Sequence, residues 1–422
     1  MLRVSALCLA VVIFAGSVRD GAAQAVVQPA PAAKSPPAGT SEETMDLLDL
    51  VRVLRHKEPH TLGPASWEPL KPMIASAPVV GYKPSSGGLV GLAGNVALFH
   101  GDPGNTRISS AVASLTYSSK KQVSALARFS IFARGDRRRL DGDNRLQWTS
   151  EDTYGLGTET TPADRTNARF DFFRFYDTEY FRVHHDLFVG VGLHYSRHSN
   201  VAAGEGASEG WDTSPYVRYS RQNGFALDGQ TSGGLSANLL VDTRDSAINA
   251  QRGWLVSATY RPFIRGFMGG DSTWHEAKFD IRTYLKMSDD GRHRVALWLL
   301  GDVIVSGVAP FFDLPATGLD TYGRSARGYS EGRFRGERLL YGEIEYRVSL
   351  MRNGLLGLVV FANTTTLSNL QAREHLTDSF LGAGGIGLRM LINKRSRTNL
   401  CIDVGVGQKG SHGLYLAIQE AF

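Results

Sequence analysis

From about residue 73 to the end of the chain, apolar and polar residues alternate with a period of two, in many short segments separated by turn-forming residues. This is the signature of extended strands whose two faces meet different surroundings. It predicts strands at 74–83, 88–99, 107–119, 122–134, 137–150, 167–183, 186–200 and 232–245. Eight more follow at 253–264, 273–287, 294–307, 338–350, 355–367, 380–392, 398–408 and 413–422. Sixteen is an even number, so the last strand can run antiparallel to the first, as a closed single-chain barrel in a bacterial outer membrane requires.

The faces are arranged as a membrane barrel needs them. In the fifteenth strand Leu400, Ile402, Val404 and Val406 oppose Cys401, Asp403 and Gly405. In the seventh, Leu187, Val189, Val191 and Leu193 oppose His194 and Ser196, and in the tenth Ala277, Phe279, Ile281 and Leu285 oppose Lys278, Asp280 and Arg282. Apolar-out and polar-in is the inverse of a soluble protein. The final segment places Leu414, Leu416, Ile418 and the terminal Phe422 on one face, the form of a closing outer-membrane strand, with Glu420 interrupting the stripe. The sixth strand does not alternate cleanly.

Connection lengths give an independent reading. Such barrels have short turns on the periplasmic side and longer loops outside. The connections after even-numbered strands are short, while the long ones at 151–166, 201–231 and 308–337, and a medium one at 368–379, all follow odd-numbered strands. A soluble sandwich has no reason to obey that parity. The fold class is therefore all-β, a transmembrane antiparallel β-barrel of 16 strands.

Ahead of the barrel, which is assigned to 73–422, two segments differ in kind. Residues 1–25 carry Arg3, an apolar core and the small-residue site Ala23-Gln24-Ala25, and read as a secretory leader cleaved near Ala25. Residues 26–72 begin as a Pro/Ala-rich spacer. Thr40 and Glu43 then form a capping box before an apolar stripe at Leu47, Leu50, Val51 and Leu54. One short amphipathic helix is expected there, lying on the membrane surface or barrel rim, or else entering and plugging the lumen.

Composition adds limits. Cys8 belongs to the leader, so Cys401 stands alone and no disulfide is expected. The 47 glycines and 10% aromatic residues suit tight turns and interfacial belts. A net charge of +5 is too small and too scattered to suggest nucleic acid.

No catalytic set is legible. His184-His185-Asp186 lies in a predicted tight turn, with no serine or cysteine placed beside it. His194 and His198 have helical ligand spacing, but on a strand they stand about 13 Å apart. Asp242, Arg244 and Asp245, at a periplasmic strand end, read as a structural lock rather than an acid/base pair. Cys401 reads as a packed inward thiol. The chain is expected not to be an enzyme and to hold no metal and no cofactor.

Several motifs together resemble a known family. The segment 309–315 leading to Arg327-Gly328-Tyr329, then Glu343 and Glu345, Val241-Asp242-Thr243-Arg244-Asp245, Tyr154-Gly155-Leu156-Gly157, and the glycine-rich 382–389 through Asp403 to Phe422 resemble the bacterial surface antigen barrel of the BamA/TamA outer-membrane assembly and secretion superfamily. The resemblance implies that the long loop before the twelfth strand folds into the lumen and that its tip arginine, Arg327, contacts acidic residues on the inner wall. Alternation puts Glu343 and Glu345 on that wall. Gly328 supplies the sharp turn a loop tip needs.

Two departures from that pattern stand out. Asn363 occupies a position where the family carries Asp, so a charged partner becomes a neutral acceptor. Fewer than 50 residues separate the leader from the first strand, so no periplasmic polypeptide-transport-associated domain is expected. The resemblance implies a role in inserting or translocating protein or lipid at the outer membrane. The expected partners are outer-membrane lipid, a separate periplasmic delivery protein and a secreted or inserted polypeptide. The alternative is a passive pore or structural surface protein, its lumen carrying Arg128, Arg139, Arg145, Lys278 and Arg282 beside Asp141, Asp143 and Asp280.

Overall fold

The computed structural model describes residues 44–59, 70–83, 87–321, 323–394 and 396–422. The leader and spacer expected over 1–40 lie outside the described residues. The first eight strands are β1 (Met73–Lys83), β2 (Gly87–Leu98), β3 (Ser109–Ser118), β4 (Val123–Phe132), β5 (Arg138–Thr153), β6 (Thr166–His184), β7 (Leu187–Ala203) and β8 (Gly229–Asp242). The second eight are β9 (Gly253–Phe263), β10 (Trp274–Lys286), β11 (His293–Gly307), β12 (Arg338–Ser349), β13 (Leu356–Leu367), β14 (Leu381–Asn393), β15 (Thr398–Gly407) and β16 (His412–Ile418).

All sixteen belong to one sheet in which each strand pairs antiparallel with the next in sequence. Such pairing satisfies the backbone polar groups of each interior strand within hydrocarbon. No ladder joins β16 to β1 among the described residues, although the two strands run close enough to bring Cα atoms within 8 Å.

The alternating faces are those read from the sequence. Val191, Leu193, Val404 and Val406 are exposed on the outer wall, while His194, Ser196, Cys401 and Asp403 are buried inside. The sixth strand now has an explanation. Its inward residues Phe170 and Phe172 are aromatic because they face an inward-folded loop, and Phe312 of that loop packs 4.7 Å from Phe170. Inward Tyr176 lies under the Arg174 guanidinium at 4.5 Å. The lumen wall is apolar here because its neighbour is protein, not water.

Two ends differ from expectation. β8 lies three residues earlier than predicted, 229–242 against 232–245, so Arg244 and Asp245 belong to the following turn. The strand expected over 413–422 stops at Ile418. Gln419 adopts φ +76, and the chain turns into the lumen, burying Ala421 and Phe422.

Helix α1 (Leu47–Leu54) begins six residues later than the Thr40/Glu43 box implied. Its cap is Asp46, whose side chain accepts from the Asp49 backbone N–H while Asp49 reaches back to Asp46. Thr40 and Glu43 lie outside the described residues. α1 seats on two short turns, with Met45 donating its N–H to the Asn353 carbonyl at 3.0 Å and Lys394 ion-paired to Asp49 at 2.7 Å. On the opposite side, α2 (Pro215–Gln222) lies in the long β7–β8 connection, capped by Ser214. Tyr216 and Tyr219 of α2 pack on Phe311, and the Tyr219 hydroxyl donates to the Ala309 carbonyl at 2.9 Å.

Candidate functional site

The connection 308–337 between β11 and β12 runs into the barrel. Arg145 of β5 donates to the carbonyls of Asp320 and Thr321, and Arg335 donates to Glu151 at 2.6 Å. The tip, Arg327-Gly328-Tyr329, crosses to the opposite wall. Arg327 is fully buried there among three carboxylates, Glu343 and Glu345 of β12 and Asp403 of β15. One guanidinium edge serves Glu343 and Glu345 and the other serves Asp403 at 2.7 Å, a use of the planar fork that a point charge could not reproduce. Its face lies 3.8 Å from the centre of the Phe361 ring.

These carboxylates are held in turn by others. Arg347 binds Glu345 at 2.7 Å, Arg389 binds Asp403, and Arg389 also binds Glu420 at 2.7 Å. Three arginines thus share four acids in one continuous network. Glu420, the break in the C-terminal apolar stripe, is one of them and accepts a second bond from Asn399.

Asn363 takes an unexpected role. The expectation was a neutral acceptor for the arginine, whereas its side-chain nitrogen donates to the Arg327 carbonyl at 2.9 Å. It therefore holds the backbone of the tip and not its charge. Tyr415 of β16 holds the same backbone, accepting from the Gly328 N–H and donating to the Tyr329 carbonyl, each at 2.9 Å. The Tyr329 hydroxyl donates to the Gly382 carbonyl at 2.6 Å. Gly328 sits at φ +111 with no room for a side chain, since a Cβ would stand 2.7 Å from the Ala383 Cβ.

The C-terminal residues close the network from below. Arg347 donates to the Phe422 carbonyl at 2.8 Å, and the Phe422 ring packs 5.2 Å from Trp298. Leu414 is exposed on the outer wall, whereas Ile418 is buried and Phe422 leaves the stripe for the lumen. A cavity of about 260 Å³ lies beyond, lined by charged side chains including Arg139, Arg174, Glu276 and Asp302.

The strand-end motif separates into two parts. Asp242 accepts from Arg139 at 2.8 Å and from Arg244 at 2.9 Å at the lumen mouth. Asp245 instead organises the β8–β9 turn and reaches Arg397 in the β14–β15 turn at 3.1 Å. The β8–β9 turn folds into the lumen mouth, burying Ile248 and Ala250. Nearby, Arg107 ties Asp136 at 3.4 Å to Asp186 at 2.5 Å, which accounts for the acid of His184-His185-Asp186. Burial pushes the Asp136 carboxyl above its ordinary range, against the pull of the Arg107 N–H and guanidinium. His194 bonds Ser236 at 2.7 Å and His198 stacks on Phe172 at 4.5 Å, so the two are packed apart.

Alternation placed Asp403 and Arg347 on the inner wall without identifying Asp403 as a partner of Arg327 or Arg347 as a partner of Glu345, and the roles of Arg389 and Tyr415 were missed. Arg389 and Asp403 lay within the motif already singled out. Their pairing was not legible because it joins separate strands.

The profile of the Omp85 superfamily domain matches residues 107–407. Among solved structures, the BamA barrel of Haemophilus ducreyi lacking POTRA domains 1–3 superposes with a TM-score of 0.52 at 13% identity, over 83% of this chain and 69% of that one. CdiB from Acinetobacter baumannii gives 0.52 at 12% identity, over 82% of this chain and 59% of its own. CdiB from Escherichia coli gives 0.51 at 11%, over 83% and 62%. The chain thus spans about three fifths of each CdiB. At these identities the likeness concerns the fold. Among curated proteins none matches the sequence.

Proposed function

Because the chain belongs to the Omp85 superfamily, we propose that it inserts or passes a polypeptide, or a lipid, at the outer membrane, together with a separate periplasmic protein that delivers the cargo. The observation that carries this reading is the seam. β16 is seven residues long, its continuation turns inward at Gln419, and no ladder joins it to β1 among the described residues. Strand edges in lipid leave backbone donors and acceptors that an incoming extended segment can satisfy by strand addition. The Arg327 network reaches this seam directly, since Tyr415 of β16 holds the loop tip and Glu420 beyond it is tied to Arg389. Loop position and seam geometry are therefore mechanically joined.

A passive pore is less well supported. The loop tip, Phe422 and the folded β8–β9 turn all occupy the lumen. The reading contains no catalytic step.

Quantitative outer-membrane proteomics and lipid analysis of the native host test it. The gene is deleted and complemented with wild type, with Arg327→Ala, and with a variant disulfide-bonded between Ala75 and a position screened along β16. Loss of one or a few surface proteins or lipids, restored by wild type but not by the oxidised seam variant, is the expected result. An unchanged envelope would sink the transport reading.

A further inference from the structure

We propose that α1 is a membrane foot, its apolar face lying in the headgroup layer of the periplasmic leaflet beside the barrel. Asp46 and Asp49 are buried against the turns, where Lys394 donates its backbone N–H to Asp46 at 3.1 Å and its ammonium to Asp49 at 2.7 Å. A helix fixed by its acidic side presents the opposite side outward. That side carries exposed apolar residues: Leu48 is 61% exposed and Leu54 is 72% exposed, with Val51 also exposed between them, while Leu47 and Leu50 of the expected stripe are half-buried. A short amphipathic helix in water would bury such a stripe on its own protein. Here the protein has taken the polar side instead.

Two observations select lipid as the covering surface. The turn that holds Met45 also exposes Leu350 and Met351 at the end of β12, so the apolar face of α1 continues the lipid-facing wall. Arg52, Arg55 and Lys57 are exposed on and just beyond the helix, placed to meet headgroup phosphates while the apolar stripe enters the layer. An interfacial helix has this distribution. A site for an acidic or apolar protein segment would not need continuity with the barrel wall.

The test uses the full chain refolded into phosphatidylcholine–phosphatidylglycerol vesicles without any other protein. An environment-sensitive fluorophore is attached to Leu48→Cys or Leu54→Cys in a Cys8→Ser, Cys401→Ser background, and to Asp290→Cys in an exposed turn as control. Emission at 48 and 54 is expected to be lost to a lipid-attached nitroxide and resistant to aqueous iodide, with the opposite result at 290. Iodide quenching at 48 and 54 equal to that at 290 would overturn the proposal and leave the face to a protein partner. A second variant, Leu48→Glu with Leu54→Glu, labelled at Val51→Cys, should fold into the same heat-modifiable barrel and lose lipid quenching. Retained lipid quenching in that variant would also contradict the assignment.

Discussion

The guanidinium of Arg327 and the carboxylate of Asp403 meet at 2.7 Å inside the barrel, although 76 residues separate them in the chain. Arg327 is paired on its other edge with Glu343 and Glu345, so removing it strips Glu343 of its arginine and leaves Glu345 and Asp403 to Arg347 and Arg389. Arg327→Ala should lower barrel stability by about 3–5 kcal/mol, the usual cost of uncompensated buried charge. Urea unfolding of the refolded barrel, followed by gel mobility, measures it. Arg327→Lys keeps the charge without the fork and should recover less than half of that loss. A stability unchanged by Arg327→Ala would show that the network does not hold the loop.

Gly328→Ala tests the tip separately from its charge. The added methyl would meet the Ala383 Cβ at 2.7 Å in a backbone already at φ +111, so the tip must lift from β14. Loss of stability near that of Arg327→Ala is expected, with faster proteolysis within 308–337. A protease pattern identical to wild type would mean the tip accommodates a side chain.

Phe422→Ala removes the aromatic that packs on Trp298 at 5.2 Å and Tyr284 at 6.4 Å. The Trp298 part of the emission, taken as the difference from Trp298→Phe, should move to longer wavelength as water enters, and stability should fall by about 3 kcal/mol, at the lower end for a buried phenylalanine. If Phe422 instead faced lipid, as the apolar stripe of the last segment implied, Trp298 emission would not change.

Asp177 gives a prediction of opposite sign. Its neighbours Tyr176 and Thr178 line the lumen, so Asp177 faces the outer wall, where Asn144 donates to it at 3.2 Å. A carboxylate on a lipid-facing wall is costly. Asp177→Leu should stabilise the barrel by about 1 kcal/mol in the same unfolding assay. A loss of stability would point to a partner for this carboxylate that the isolated chain does not contain.

Much of the architecture was legible in the sequence because it depends on each residue's own strand. Val404 and Val406 face lipid and Cys401 and Asp403 face inward by alternation alone, and the parity of loop lengths orients the barrel. The sixth strand failed that reading because its lumen side meets Phe312 rather than water. The C-terminal stripe failed beyond Ile418 because Arg389 and Asn399 draw Glu420 inward, and Phe422 follows it.

By itself the sequence determined the number of strands and most of their faces and, by resemblance, the inward-folded loop with an arginine at its tip seeking carboxylates. Only the tertiary structure decided which carboxylates those are, that Asn363 holds the tip backbone, where the last four residues go and which side of α1 meets the barrel. The physical reason is range. A period-two pattern records the two solvents on either side of one strand, whereas contacts across the lumen and at the rim join residues that no local pattern relates.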